Sequence, residues 1–351
     1  MKKIRLGLIG CGNMMSNHMK GVKLVEQVSV TAICDTNPEN AQKVAQVLDD
    51  PYITSDYRTM VDHVDAVLIA LPHDLHYECG LFFARHKKHL LMEKPLCNTE
   101  QECLNLIDVC EEEGVVFMCA YPVPYLPGVV KLKELVDSGN YGKIIQMSIW
   151  TEQLVHKPEG HWINTSRLGG GQFFSHGCHY VDILLRFLGN PVKGYHLGTR
   201  VGTPWLVGEG TSVAAIKFES GAIGYHGATW GARGTHFGSC YQIHTEKGML
   251  ELTKGEIRFY NAIIEHVPGV EEKTGYQVIW KNEGPGGKYT NLEAAHFVDC
   301  ILTGKRPMTD ARSALQSLRI IWRMYNAEKN DIAADLRGLG LAHAYKEGEQ
   351  K

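Results

Sequence analysis

Gly10-Cys11-Gly12 follows directly on the apolar run Ile4-Arg5-Leu6-Gly7-Leu8-Ile9, and a helical pattern starts near Met14. Glycines at such a strand-to-helix turn let the backbone approach a pyrophosphate closely, and the helix amino terminus receives its charge. Gly10, Gly12, Asn13 and Met14 are therefore expected at a dinucleotide. The third glycine position of a GxGxxG fingerprint is Met15, so the pair alone is a weak signal. Asp35 strengthens it, because it ends the second apolar run 23 residues after Gly12. A carboxylate there can accept both adenosine ribose hydroxyls and repels a 2′-phosphate, which favours NAD over NADP. The alternative is a turn glycine pair with a surface aspartate.

Two further groups carry chemistry. Glu93-Lys94-Pro95 follows the fifth apolar run. In a doubly wound sheet a lysine at a strand's carboxyl end points into the ligand crevice, although a solvated charge pair reads equally well from the tripeptide alone. Gly169-Gly170-Gly171 precedes a helical pattern over about 173–188 that carries Ser175, His176 and His179. Ser175 and His179 are four apart and the two histidines three apart, so all three can share one helical face. The histidines could instead hold a metal, but the spacing indicates no third ligand, and no metal is expected.

The elements that position these residues fall into two patterns. Up to about residue 121, short apolar runs (4–9, 28–34, 65–71, 89–92, 115–119 and a weaker 52–54) alternate with amphipathic stretches (14–25, 38–48, 75–85, 99–113). That alternation signals a parallel, doubly wound Rossmann sheet over 1–121. After Pro122, Pro124 and Pro127 come a helix (129–138) and strand-like runs at 143–150, 211–218, 222–230, 239–244 and 249–252. Two late helices are expected at 291–302 and 310–327. We expect an α+β domain over 122–335 with a large, mostly antiparallel open sheet, then a polar tail over 336–351.

The 351 residues suit two domains, and 44% hydrophobic with 21% charged residues is an ordinary globular composition. Net charge is −3 with acids and bases mixed, so neither nucleic acid nor membrane is expected as a partner. None of the 10 cysteines forms a CxxC pair and most lie in apolar stretches, as expected of free thiols in the cytoplasm. The amino-terminal apolar run is short, contains Arg5 and leads into polar residues, so it reads as a first strand and not as a signal peptide.

Taken together, these residues resemble the Gfo/Idh/MocA family of NAD(P)-dependent oxidoreductases, over about residues 3–335. Gly10–Met14 with His18 is similar to the family's opening, and Leu71-Pro72 with His76 to its proline-containing loop. Glu93-Lys94-Pro95 matches its most diagnostic tripeptide. Gly169–Asp182 is similar to its glycine-rich stretch and histidine helix. The resemblance implies that Leu71, Pro72, His76, Glu93 and Lys94 line the cofactor. It also implies that Lys94, Tyr121, Trp162, His176 and His179 meet a sugar, inositol or related polyol, in a homodimer or homotetramer. Lys94 would lower the pKa of a secondary hydroxyl and His179 would take its proton while hydride moves to the nicotinamide. Three positions depart from the family: Ser175 stands where its helix aspartate is usual, His73 where its loop asparagine is, and Pro122-Val123-Pro124 where an arginine often lies.

Two other functions compete with a dehydrogenase. Ser175-His176-Gly177 is similar to the Thr-His-Gly stretch of NAD-dependent glycoside hydrolases of the same superfamily, such as family 109. There oxidation, elimination, water addition and reduction leave the cofactor unchanged overall, and His176 would be the extra acid or base. A catalytically silent sensor on the same scaffold is the third possibility, against which Lys94 and His179 argue.

Overall fold

The computed structural model describes residues 3–261, 275–284 and 287–345. Near-continuous apolar runs form the strands β1 (Ile4–Ile9), β2 (Val28–Cys34), β3 (Tyr52–Thr54), β4 (Ala66–Ile69), β5 (His89–Glu93) and β6 (Phe117–Ala120). The helices α1 (Asn13–Val22), α2 (Pro38–Ala45), α3 (His76–Arg85) and α4 (Glu100–Glu112) alternate with them. All pairings are parallel, in the order β3-β2-β1-β4-β5-β6. Every residue of β4 and β6 is buried, as a sheet covered on both faces requires. The strand order reverses between β1 and β4, so the ligand crevice lies at their carboxyl ends.

The following helices and strands are α5 (Pro127–Asp137), β7 (Ile144–Glu152), α6 (Gln172–Ser175), α7 (Gly177–Leu188), β8 (Pro191–Thr199), β9 (Thr211–Phe218), β10 (Ile223–Thr229), β11 (Ser239–Thr245), β12 (Gly248–Thr253), β13 (Glu256–Tyr260) and β14 (Tyr276–Lys281). The last are α8 (Thr290–Thr303), α9 (Ala311–Lys329) and β15 (Ala334–Asp335). The second sheet runs β14-β13-β12-β11-β7-β10-β9-β8-β15 and is antiparallel except where β7 meets β10. Burial alternates along β9, with Ser212, Ala214, Ile216 and Phe218 facing inward. The inward face is covered by α6 and α7, where Tyr180 stacks on His226 and Phe173 on His196.

The chain divides into two compact units that are not contiguous. The first takes in the chain up to Pro122, Gly160–Gly170 and Lys288–Leu318; the second takes in Val123–Glu159, Gly171–Gly287 and the chain from Arg319. Sequence reading had put the two later segments of the first unit in the second domain. They belong with the first through contacts between residues far apart in the chain: His73 Nδ1 to the Leu168 carbonyl at 2.9 Å, and the Thr290 hydroxyl to the Asn17 carbonyl at 2.9 Å.

Three local expectations need correction. The helix expected over 173–188 is broken at His176 (φ −118°, ψ −36°), giving α6 and α7. Strands β8, β13, β14 and β15 were not foreseen. The polar tail expected from 336 is packed in part, with Leu336, Leu339 and Ala344 buried, while 346–351 lie outside the described residues.

Candidate dinucleotide and substrate sites

In the first unit the turn after β1 is shaped by two glycines with different tasks. Gly10 has φ +82°, and a Cβ there would stand 2.5 Å from the Ala70 carbonyl oxygen. Gly12 precedes α1, and a Cβ there would meet nothing within 4 Å. No side chain caps the first turn of α1 and no acidic residue lies in it. Its orphan amides and positive dipole end suit an anionic pyrophosphate. Met15, at the third fingerprint position, is fully buried and fills the space a glycine would leave.

Asp35 closes the loop from below: its Oδ2 accepts the Cys11 N–H at 2.6 Å and its Oδ1 the Asn37 N–H at 2.7 Å. Each oxygen keeps a second lone pair for a ribose hydroxyl. The residues present thus fit a bound NAD.

At the end of β5, Glu93 is buried. Its Oε1 lies 2.7 Å from His18 Nε2, and its Oε2 accepts the Lys94 N–H at 3.1 Å. Burial raises the Glu93 pKa, but the His18 hydrogen bond and charge, Lys94 and the Lys94 N–H together hold it below the usual range. His76 was expected at the cofactor. Both its ring nitrogens instead lie 2.9 Å from backbone carbonyls, Nδ1 from Pro95 and Nε2 from Leu71. It lies between the Leu71-Pro72 loop and the segment carrying Lys94; burial lowers its pKa against the pull of the two carbonyls, and the neutral ring donates to one of them. His73 sits edge-on to Trp162, ring centroids 4.8 Å apart. Burial, then Lys94 and His76, hold His73 well below its ordinary pKa, so it is a neutral imidazole.

Tyr121, expected at the substrate, is fully buried, its hydroxyl 3.0 Å from Ser317 Oγ. Trp162 is half-buried and reaches His73 within the same unit.

The second unit holds the histidine pair. Gly169 and Gly171 permit close approach of protein groups: a Cβ on Gly169 would strike the Asn98 amide, and one on Gly171 the Glu209 carboxylate. The amides that open α6 are already served. Phe173 N–H donates to Glu209 Oε1 at 2.9 Å, and Phe174 N–H to the Tyr325 hydroxyl at 3.1 Å. Ser175 is buried at the end of α6, so the shared helical face expected for Ser175, His176 and His179 is interrupted. His176 and His179 still meet, ring centroids 5.8 Å apart and near perpendicular. The amide nitrogens of Gln153 and Gln172 each lie 3.4 Å from His176 Nδ1. Two donors there make Nδ1 an acceptor and leave the proton on Nε2. Sequence reading missed His18 as a contact of Glu93, and missed Glu293 altogether.

A parallel 3-2-1-4-5-6 sheet with an uncapped Gly-x-Gly turn, followed by a nine-stranded sheet, defines a dinucleotide-binding two-domain oxidoreductase architecture. Residues 4–121 match the oxidoreductase family with the NAD-binding Rossmann fold, and residues 129–251 match the GFO/IDH/MocA C-terminal domain. The chain belongs to the Gfo/Idh/MocA oxidoreductase family and carries its NAD-binding domain.

It is 29% identical over 195 residues to a 2,7-anhydro-N-acetylneuraminate hydratase of Mediterraneibacter gnavus, covering 54% of this chain and 50% of that protein. It is 25% identical over 307 residues to an NADP-linked D-xylose 1-dehydrogenase of Haloferax volcanii, covering 87% of this chain and 91% of that one. The matches to the more similar curated relatives span about half of their length. The fold is also that of the WlbA dehydrogenase from Bordetella pertussis in complex with NADH and UDP-GlcNAcA. That likeness has a TM-score of 0.79 and 23% identity over 96% of this chain and 98% of the other. Among the described residues no helix is long and apolar enough to cross a membrane.

Proposed function

We propose that this chain oxidises a secondary hydroxyl of a sugar, inositol or related polyol with NAD as acceptor, with Lys94 and His179 at the reacting hydroxyl. The observation that carries the reading is the uncapped amino end of α1 beside Asp35, in the sheet whose β5 ends directly at Lys94. NAD supplies a two-electron acceptor when bound. Gly10, Gly12, Asn13, Met14 and Asp35 would hold it, with Glu93 anchoring the turn at Lys94. Lys94 donates a hydrogen bond to the hydroxyl and favours its deprotonation, and His179 accepts the proton. Trp162 and His176 contribute to the sugar site. The ten buried, free cysteines support a reducing, cytoplasmic setting.

The test is to denature the purified protein, assay released NAD, and screen polyols and aldoses for NADH production. NADH formed from a free polyol supports the reading; no dinucleotide binding at all overturns it.

One observation favours a second reading. The relationship to a hydratase, together with His176 beside His179, is compatible with chemistry that leaves the cofactor unchanged overall. Such a reaction, whether on a glycoside or an anhydro sugar, needs a second proton carrier, and His176 supplies one.

A further inference from the structure

Three ionisable side chains from three elements meet inside the first unit, and two of them, His18 and Glu293, take no part in the steps above. His18 comes from the middle of α1, Glu93 from the end of β5 and Glu293 from the first turn of α8. His18 Nε2 lies 2.7 Å from Glu93 Oε1, and His18 Nδ1 lies 4.0 Å from Glu293 Oε2. Close packing of α1 on α8 brings them together: a Cβ on Gly21 would collide with the backbone of Thr290 and Asn291.

Glu93 is anchored, but Glu293 is not. Glu293 is fully buried, and neither of its carboxyl oxygens has a hydrogen-bond partner among the described residues. A buried carboxylate ion without donors is costly, so the side chain keeps its proton instead. Burial first, then the Glu93 charge, push its pKa up to about 8 against the pull of His18. Burial lowers the His18 pKa and Lys288 lowers it further, but the Glu93 bond and the charges of Glu93 and Glu293 outweigh them, and the net shift is upward. Lys94 adjoins Glu93 in the chain, and Lys288 Nζ lies 3.6 Å from Met14 Sδ. At neutral pH Glu93 is therefore held as the hydrogen-bonded partner of His18, whose pKa is shifted upward, while Glu293 keeps its proton.

We propose that Glu293 is a proton-controlled positioning residue for the dinucleotide. Neutral, it leaves His18 to Glu93. Ionised, it draws the His18 ring toward itself and adds a negative charge against α1, whose amino end receives the pyrophosphate. The inference rests on reading the Gly10–Met14 turn as the pyrophosphate site. Loss of the Glu293 proton to solvent weakens binding of the dinucleotide anion, and by reciprocity a bound dinucleotide raises the Glu293 pKa.

The experiment measures the Kd of NADH by fluorescence from about pH 6.5 to about 9.5, for the unaltered protein and for Glu293→Gln, which cannot ionise. The Kd of the unaltered protein should rise by roughly threefold to tenfold through pH 8, the scale of one added charge at partly screened distance. The rise should be absent in Glu293→Gln. Carbon NMR of unaltered protein labelled at glutamate carboxyls should show one signal titrating near pH 8. The same pH rise in both proteins, or no glutamate titrating above the ordinary range, overturns the proposal. NADH failing to bind at every pH overturns the pyrophosphate-site reading instead.

Discussion

His176, at the joint between α6 and α7, and His179, in the first turn of α7, stand edge to face with ring centroids 5.8 Å apart. An unbroken helix would place them on one face by spacing alone. Here the backbone at His176 leaves the helical register, and Gln153 and Gln172 face His176 Nδ1. The buried His179 and the more exposed His176 are therefore held in different environments.

Lys94→Ala and His179→Ala should each lower turnover by roughly 10²-fold or more, the usual scale for a positioned acid or base. NADH binding, read by fluorescence, should largely survive both, because the Gly10–Met14 turn and Asp35 are untouched. Near-normal turnover in either variant removes that residue from the mechanism.

NAD should be preferred over NADP. Asp35 Oδ1 and Oδ2 already accept the Asn37 and Cys11 N–H groups, so the carboxylate is fixed where a 2′-phosphate would meet its charge. Kd for NADH and NADPH should differ by roughly tenfold or more, the scale of one like-charge contact. Asp35→Ser should narrow the gap. Equal affinity in the unaltered protein sinks the assignment.

Much of this architecture was legible in the sequence because the first unit advertises itself. Its strands are buried on both faces and read as apolar runs, and the glycine turn, Asp35 and Lys94 sit at the strand ends where such a sheet puts ligands. The second sheet was harder. Strand β8 starts at Pro191 and contains Gly194 and Gly198, while the apolar run of β14 is only Val278-Ile279-Trp280, too short to stand out. The start of α6 is held by Glu209 and Tyr325 from distant parts of the chain. Likewise the two carbonyls on His76, the burial of Tyr121 and the His18–Glu293 approach are contacts across long sequence separations, which periodicity cannot reveal.

Acid should destabilise the protein in part through His226. Its ring is fully buried, stacks on Tyr180 and lies 3.1 Å from Thr151 Oγ1. Burial, with His196, lowers its pKa from 6.5 to about 3. Between those values the unfolded chain takes up a proton that the folded chain refuses, so stability falls as pH falls. From pH 6.5 to pH 5 this amounts to about 2 kcal/mol. His226→Phe should lose less Tm over that interval than the unaltered protein, as read by thermal unfolding at both pH values. Equal losses remove His226 as the cause.

The chain should assemble as a homodimer or homotetramer. Tyr195 and Leu197 of β8 and Val213 of β9 are exposed on the same face of the second sheet, and Leu197 pairs directly with Val213. An exposed apolar cluster on a sheet face is suited to association with a second copy. Light scattering at micromolar concentration should report the oligomer, and Val213→Glu should shift it toward monomer. A monomeric unaltered protein refutes the expectation.

His176 separates the two enzymatic readings. In a simple dehydrogenase one base suffices, and His179 fills that role. His176 would then orient His179 or a sugar hydroxyl, and His176→Ala should lower kcat by less than roughly tenfold, well short of losing a general base. A redox-neutral reaction breaks and remakes bonds at the carbon next to the oxidised one, so a second group must move a proton there. The half-buried His176, with Nδ1 held as acceptor and its proton on Nε2, is placed to donate it. In that case His176→Ala should abolish elimination or water addition while dinucleotide binding persists. Solvent deuterium should also appear at that carbon in the product of the unaltered enzyme. Net NADH from a free polyol, with no deuterium incorporated and no cleavage of a nitrophenyl glycoside, would reject the redox-neutral reading and leave His176 as a positioning residue. That is the outcome we expect, because one proton acceptor beside one reacting hydroxyl completes a dehydrogenase and leaves His176 no bond to break.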